Sequence, residues 1–493
     1  MGYELDSTSE LSLEVVKKRA VKGVLTLTGR TLILRLVAFV AQGLLWAFLD
    51  PVHFGTFLLV SAVVNFLSYF ADIGLGAALI QKKDKPNNED FKTVFTVQEI
   101  LVISVSILLI LASPLLKRTY SLSNEGTLLL YALTAAFFLA SLKNIPSIIL
   151  ERRLEFGKFI VPQILEDLVY NVSVVFFAWK GFGIMSFTYS VLIRGVVGVI
   201  AIYILQPWKP GIFISKKSLK NLLAFGIPYQ LNNFLATLKD DGLTILLGGV
   251  LGQFGLGILG TAQKASQYPL RFFMDNVTKV TFPAFSRMQD DKEQLSRLLG
   301  RSIFFICSLV FPSLIGLLIL FPIVLVMIPR YQKWEPAYIP LIFFSMNSLI
   351  GSFTTQFTNT LNAVGKIKTT FKLMIMWTSL SWILIPYFSH RFGVNGAALA
   401  YFIVSASSVV VYFIIRRIIY FDAIYAIAKP FAASVFMGIT LWILKILILK
   451  YTLTNFLILV IIGGLVYFLT LYFLTGKTLL SDVKKTFSSI LSR

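Results

Sequence analysis

Apolar runs of about 20 residues recur along almost the whole chain, with short polar or charged segments between them. A transmembrane α-helix needs about 20 consecutive, mostly apolar residues, so each run predicts one membrane span. The pattern predicts an all-α integral membrane protein with fourteen spans. The predicted limits of these spans are 24–48, 54–80, 93–116, 128–150, 159–179, 182–206, 222–249, 254–287, 300–329, 337–363, 369–389, 394–418, 426–449 and 453–475.

The composition agrees with membrane spans and tests their orientation. Hydrophobic residues make up 56% of the 493 residues, and the formal net charge is +21. Membrane proteins concentrate Lys and Arg in cytoplasmic loops. With the first segment placed in the cytoplasm, the cytoplasmic segments hold 29 Lys and Arg residues and the opposite side holds 7. This asymmetry predicts cytoplasmic N- and C-termini and explains the positive charge without a nucleic-acid partner.

The chain is poor in the residues that bind metals or form disulfides. It contains two histidines, His53 and His390, and one cysteine, Cys307. A structural zinc site uses four Cys or His ligands, and a disulfide needs two cysteines. We therefore expect neither a metal site nor an intramolecular disulfide.

Short motifs recur in the same order after an interval of 200 to 210 residues. The pairs are HFG at 53–55 and QFG at 253–255, GK at 157–158 and 365–366, and FGI at 182–184 and FGV at 392–394. The matching positions indicate two parallel copies of six spans, since an even number of spans lets both copies start in the cytoplasm. The predicted lobes are 1–208 and 209–420, followed by two spans and a tail in 421–493.

Polar side chains follow one face of several predicted spans, at steps of three and four residues. Such stripes either face a hydrated cavity between the two lobes or join neighbouring helices by hydrogen bonds, and both interpretations stay open. The polar residues singled out as cavity candidates are Gln42, Asn65, Tyr69, Gln230, Asn233, Gln356 and Asn359.

Charged side chains within the spans are the second group of candidates, because a charge at the bilayer centre costs at least about 2.5–3.5 kcal/mol. The segment LATLKDDGLTILLGG, 235–249, carries Lys239, Asp240 and Asp241, either as a self-neutralising cluster or as a transport site. Arg30, Arg35 and Arg271 favour an anionic ligand, since several cations in one cavity need a counter-charge. Lys264 and Arg194 fit either role. Glu99, Glu166 and Asp167 are interpreted as packing or solvation groups.

Four segments resemble polysaccharide exporters of the Wzx type. They are FADIGLGAALIQKKD at 70–84, KDDGLTILLGGVLGQFGLG at 239–257, FPAFSRMQDDKEQL at 282–295 and YQKWEPAYIPL at 331–341. Their order and spacing place the resemblance over nearly the whole chain, in the colanic-acid and teichuronic-acid exporter branch. That family belongs to the superfamily of multidrug, oligosaccharidyl-lipid and polysaccharide exporters.

The resemblance implies a V-shaped fold of two pseudo-symmetric six-helix lobes plus two C-terminal helices. It also implies a flippase that moves an undecaprenyl-pyrophosphate-linked oligosaccharide across the bacterial inner membrane by alternating access. Coupling to H⁺ or Na⁺ is expected, with no other cofactor. The expected partners are the lipid-linked oligosaccharide, membrane lipids, and the polysaccharide polymerase and export machinery.

The resemblance extends by position to Arg30, Arg35, Arg271 and Asp241, and the other predicted roles follow from residue type and place in the spans. The cations expected to bind the pyrophosphate are Arg30, Arg35, Arg271, Lys239, Lys264 and Arg194. The seven polar cavity candidates are expected to contact the sugars. The carboxylates expected to couple transport to the ion are Asp72, Asp241 and Asp240.

Two other functions compete with this one. A drug/cation antiporter of the same superfamily would need an acidic cavity, whereas the cations buried in the first lobe favour an anionic cargo. A membrane polysaccharide polymerase or ligase would need catalytic residues in large external loops. The external connections here are short, and no nucleophile–base pair or P-loop occurs in them. We therefore expect a transporter rather than an enzyme.

Overall fold

The computed structural model describes residues 34–82, 84–448 and 451–476. Within these ranges nearly every residue lies in a helix, and no β-strand occurs. Eleven helical segments are long and apolar enough to span a membrane. The prediction of an all-α, multi-pass membrane protein is confirmed.

The described chain divides into two compact units, the first of which ends at Gly257. The helices of this unit are α1 (Leu34–Phe48), α2 (Pro51–Ser68), α3 (Leu75–Gln81), α4 (Asn88–Thr119), α5 (Asn124–Leu142), α6 (Asn144–Arg152), α7 (Phe156–Trp179), α8 (Met185–Leu205) and α9 (Lys216–Thr237). A π-helical turn, Leu238–Gly242, joins α9 to α10 (Leu243–Arg287). Helix α10 continues into the second unit.

The second unit begins at Ile258, within α10. Its further helices are α11 (Lys292–Met327), α12 (Tyr338–Ala363), α13 (Ile367–Ala406), α14 (Val409–Arg416), α15 (Lys429–Leu447) and α16 (Leu453–Thr475). A 3₁₀ segment, Pro329–Ala337, precedes α12. The predicted lobe limits at 208 and 420 concern an internal duplication, which this division does not test, so they stay a prediction.

Two of the eleven segments are pairs of spans joined at a glycine. Gly252 in α10 and Gly393 in α13 have φ values of 65° and 58°, a left-handed conformation that favours glycine. Both residues lie where the sequence predicts a turn between two spans. Dividing these segments and adding the shorter α1 accounts for the fourteen predicted spans.

Apolar and polar residues are distributed as expected for a helix bundle in lipid. Large apolar side chains such as Ile204 and Phe473 are exposed, whereas the carboxyl groups of Glu99 and Glu166 are buried. Because the bilayer core offers no hydrogen-bond partners, polar groups inside spans must find them between helices. The candidate site is therefore sought among these interior polar groups.

Candidate functional site

A break in the fourth predicted span organises the polar interior of the first unit. Helix α5 ends at Leu142 and α6 begins at Asn144, with Pro146 in the first turn of α6. Proline has no N–H, so it leaves the Leu142 carbonyl without its donor from four residues ahead. The Tyr203 hydroxyl of α8 donates a hydrogen bond of 3.1 Å to that carbonyl. The break is thus stabilised by a neighbouring helix, as buried membrane helices require.

Four charged side chains meet beside this break. Lys143 Nζ lies 2.7 Å from Glu166 Oε1 on α7. Arg194 on α8 lies 3.0 Å from Asp167 Oδ1 through Nη2 and 3.8 Å from Glu166 Oε2 through Nε. The four residues, which we call the charge cluster, carry two positive and two negative charges. Arg194, a predicted cargo contact, therefore has carboxylate neighbours before any cargo binds.

The charge cluster depends on a glycine that makes room for Glu166. A β-carbon built at Gly198 of α8 would overlap the Glu166 carboxylate. The side chains of Lys143 and Glu166 are largely shielded from water, so their pair is sensitive to small displacements.

Gly198→Ala is expected to lower the free energy of unfolding by about 1–3 kcal/mol, because the methyl group displaces Glu166 from both cations. The measurement is thermal unfolding of the purified protein in detergent. Gly464→Ala in α16 is the matched control, since a β-carbon there meets no atom within 4 Å. Equal unfolding temperatures for the two variants would contradict the role given to Gly198.

Glu99 of α4 lies next to the same break. One carboxyl oxygen accepts a 3.1 Å hydrogen bond from Ser141 Oγ of α5. The other oxygen, Oε1, is buried and has no partner among the residues that the structure describes. A buried carboxyl group with one oxygen unsatisfied is unusual and suggests a functional role.

The charged residues of the 235–249 segment lie on the π-helical turn. A π-helical turn inside an α-helix is rare and frequent at functional sites. Lys239 Nζ lies 3.7 Å from Asp240 Oδ1, and both side chains are accessible. The partly buried Asp241 accepts a hydrogen bond from the Asn65 side chain of α2. The segment is thus partly self-neutralised, and Asp241 is held by a neighbouring helix.

The end of α2 meets the C-terminal half of α9 near Tyr69. The Tyr69 hydroxyl donates to the Gln230 carbonyl, and Gln230 Nε2 donates to the Tyr69 carbonyl over 3.5 Å. Asp72 is exposed, and its Oδ1 accepts a 2.9 Å hydrogen bond from Gly74 N. Asp72 therefore shapes the turn that leads into α3.

Close contacts at glycines mark the two ends of the interface between 51–74 and 226–257. Gly74 has a φ of 75°, and a β-carbon built at Gly226 would lie 2.6 Å from the Ile73 carbonyl oxygen. At the other end, a β-carbon at Gly55 would overlap the Gln253 carbonyl, and one at Gly257 would overlap the Pro51 carbonyl. We call the interface between 51–74 and 226–257 the glycine seam. Its tight ends enclose the Asn65–Asp241 and Tyr69–Gln230 contacts.

In the second unit, Lys264 of α10 is a predicted cargo-binding cation. It is partly buried and has no carboxylate partner among the described residues. It lies 12 residues beyond Gly252, which is about 18 Å along the helix and close to the middle of a 30 Å hydrocarbon layer. Arg271, by contrast, has its Nη1 3.8 Å from Asp275 Oδ1, and its side chain is 60% exposed.

The amides of the second unit join α10 to α12. Gln356 is fully buried, donates to Thr278 Oγ1 over 3.1 Å and accepts from Thr281 Oγ1 over 3.4 Å. Asn359 Nδ2 donates to Thr278 Oγ1 over 3.5 Å. Both amides therefore have partners within the protein, as expected when a polar stripe joins helices.

The remaining candidates lie near the start of the chain or on α9. Arg35 is partly buried on α1. Gln42 is buried, and its Nε2 has no partner among the described residues. Arg30 lies outside the described residues, and the Asn233 side chain is not described.

The family of polysaccharide biosynthesis proteins matches residues 44–339. A membrane protein in the cps region of Klebsiella pneumoniae is 24% identical over 92% of this chain and 95% of its own length. The succinoglycan biosynthesis transport protein ExoT of Rhizobium meliloti is 24% identical over 57% of this chain and 56% of its own.

Solved structures share the fold at low sequence identity. The lipid II flippase MurJ, in an inward closed conformation, is 17% identical with a TM-score of 0.75, over 92% of this chain and 100% of MurJ. A multidrug resistance MATE transporter of the MOP superfamily has a TM-score of 0.58 at 17% identity, over 78% of this chain and 97% of its own.

The described helices and these matches define a multi-pass membrane protein with a fold of the MOP superfamily of transporters. Because the family match covers well over half of the sequence, the chain belongs to the polysaccharide biosynthesis protein family.

Proposed function

We propose that this protein is a flippase for a lipid-linked oligosaccharide with an anionic headgroup. The cargo is an undecaprenyl-pyrophosphate-linked repeat unit, moved from the cytoplasmic to the outer leaflet of the bacterial inner membrane. Both termini lie in the cytoplasm. The family membership, the transport protein ExoT among the relatives and the fold of a lipid II flippase support this proposal.

The observation that carries the proposal is Lys264. An ammonium group near the bilayer centre needs a counter-charge, and the described protein supplies none. A pyrophosphate supplies it through charge-assisted hydrogen bonds, and the energy gained offsets part of the desolvation of the headgroup. Lys143 and Arg194 differ from Lys264, because the carboxylates of the charge cluster already neutralise them.

The other cationic candidates support the headgroup in this proposal. Arg271 keeps an exposed guanidinium group, which can pair bidentately with a phosphate. Arg30, Arg35 and Lys239 keep the same predicted role.

The sugars are bound by amide and hydroxyl groups that can form further hydrogen bonds. The Gln42 amide nitrogen has no partner among the described residues, and Asn65 is an exposed residue on α2. Tyr69 and Gln230 already bond each other, so they contact the sugar only when the glycine seam opens. Gln356 and Asn359 are less suited to this role, because their side chains already form hydrogen bonds with Thr278 and Thr281.

Transport proceeds by alternating access coupled to H⁺ or Na⁺. Asp241 is the best placed of the three predicted coupling carboxylates, because it is partly buried on the π-helical turn and bonds Asn65 across the seam. A change of its charge therefore acts directly on the contact between α2 and the turn. Asp240 and Asp72 are exposed, and their coupling roles stay predictions from the sequence.

Gene deletion followed by lipid analysis tests the function. We expect the deletion strain to accumulate an undecaprenyl-linked repeat unit on the cytoplasmic leaflet and to lose the surface polysaccharide. Resistance to cationic drugs is expected to be unchanged. Loss of drug resistance with normal lipid-linked intermediates would instead identify a drug antiporter.

A further inference from the structure

Glu99 lies deep within the first unit, eleven residues after Asn88, the first residue of α4. It is about 16 Å along the helix from Asn88, and only 9% of the residue is exposed. Ser141 Oγ shares its single proton between one carboxyl oxygen, 3.1 Å away, and the Phe138 carbonyl, 2.7 Å away, and Glu99 Oε1 is buried without a partner among the described residues. The carboxyl group thus faces a space between α4 and α5 that offers it one hydrogen bond.

No cation among the described residues compensates a charge on Glu99. Lys143, which follows Ser141 by two residues, pairs with Glu166. The Tyr203 hydroxyl of α8 lies close enough to interact electrostatically, but it donates to the Leu142 carbonyl. An isolated carboxylate at this depth costs several kcal/mol, whereas a neutral carboxylic acid costs much less and gains an O–H donor.

The described ionisable groups on the other segments packed against α4 either have partners or are exposed. Lys82, just beyond α3, bonds Asp90 over 2.6 Å at the first turn of α4. Tyr69 donates to the Gln230 carbonyl, and the lysines of α9 at 216, 217 and 220 are exposed. The neutral form of Glu99 is therefore the one that the packed helices accommodate.

We propose that Glu99 is a proton-binding site that exchanges its proton during the transport cycle. This inference rests on the proposed flippase function and identifies the coupling ion as H⁺. One proton enters from one aqueous side, resides on the carboxyl group while α4 and α5 are packed, and leaves on the other side. The carboxylate that remains needs water, so release requires these helices to separate.

The break in span 4 links the protonation of Glu99 to a movement of the neighbouring helices. Ser141, Leu142 and Lys143 are consecutive, and they bond Glu99, Tyr203 and Glu166 on three different helices. A rotation at the break therefore alters all three contacts together. Protonation of Glu99 stabilises the packed arrangement, and its loss favours the open one, as expected for a ligand that binds one of two states.

Infrared spectroscopy of the purified protein tests the protonation state without any cargo. Wild type at neutral pH is expected to show a carboxylic-acid C=O band that Glu99→Gln lacks. Glu89→Gln is the matched control, because Glu89 is exposed on the same helix, and it should retain the band. The same band in wild type and Glu99→Gln would show that Glu99 is ionised and would overturn the proposal.

Transport in inverted membrane vesicles tests the coupling. The probe is the lipid-linked repeat unit extracted from the deletion strain, and the drive is an imposed pH gradient. Glu99→Gln is expected to keep the protein level and unfolding temperature but to lose the gradient dependence of transport, by about 5- to 150-fold. Retained gradient-driven transport in Glu99→Gln would overturn the proposal. Absence of transport in wild-type vesicles would instead refute the flippase function, and the infrared result would stand.

Discussion

Lys264→Gln is expected to lower the rate of oligosaccharide export about 10- to 100-fold. The substitution removes one charge-assisted hydrogen bond to the phosphate, which contributes about 1.5–3 kcal/mol. We expect the substitution to weaken cargo binding and not folding, because Lys264 has no carboxylate partner within the described protein whose pairing would be broken. For the same reason, the unfolding temperature is expected to stay equal or to rise. The measurement is the rate at which lipid-linked repeat units reach the outer leaflet.

Two variants serve as controls for this prediction. Lys264→Arg keeps the charge and is expected to retain most of the export, because a guanidinium group also binds phosphate. Lys279→Gln removes an exposed lysine from the same helix. It lies 15 residues further along, about 22 Å away, at the level of the headgroups, and should leave export unchanged. Equal losses in Lys264→Gln and Lys279→Gln would show that overall charge, and not a specific contact, is responsible.

Gly226→Val is expected to be the second severe substitution, with export lowered about 5- to 150-fold. A side chain at Gly226 meets the backbone of Ile73 and Gly74 and cannot be relieved by a rotamer change. Overpacking of this kind costs about 1–3 kcal/mol, and here the cost applies to the closed glycine seam. The measurement is again export. Gly249→Ala, where a β-carbon makes an ordinary 3.7 Å contact with Tyr120, is expected to behave as wild type.

Reversible cross-linking separates a blocked cycle from misfolding. Thr56 Oγ1 lies 2.6 Å from Gln253 Oε1 at the other end of the seam. Cys307, the single native cysteine, is buried. In Thr56→Cys/Gln253→Cys, a short thiol cross-linker is expected to stop export, and reduction should restore it. Export that continues with the seam cross-linked would show that the seam does not open during transport.

The fold followed from the sequence to a large extent, because the bilayer imposes a simple rule on span length. The hydrophobic pattern predicted the fourteen spans, and the glycines at 252 and 393 occupy predicted turns. The sequence also located the polar faces of individual spans. Periodicity cannot tell which helix meets a given face, so it predicted candidates without their partners.

The charge cluster illustrates that limit. The sequence marks Glu166, Asp167 and Arg194 as charged residues within spans, but their pairing with one another and with Lys143 depends on the break before Pro146. A proline within the fourth span, together with opposite charges in the next two spans, is the available signal. The sequence predicts a packing or solvation role for Glu99, because only the structure shows that its Oε1 has no partner among the described residues.

The glycine seam could not be predicted from the sequence for a similar reason. Gly74 and Gly226 are far apart along the chain, and neither shows its partner in the local sequence. The repeated motifs at 53–55 and 253–255 were interpreted as equivalent positions in two copies. In the structure Gly55 and Gln253 also touch, so one pair of motifs forms a contact as well as marking a repeat.

Translocation by the purified protein in liposomes tests the central claim most directly. Lipid-linked repeat units from the deletion strain would be placed in both leaflets, and their accessibility to an added pyrophosphatase would be followed over time. Wild-type protein is expected to make the protected units accessible, while Lys264→Gln does so about 10- to 100-fold more slowly and Lys264→Arg nearly as fast as wild type. Equal rates for wild type, Lys264→Gln and protein-free liposomes would contradict the claim that a partly buried lysine of this protein helps to carry a pyrophosphate headgroup across the membrane.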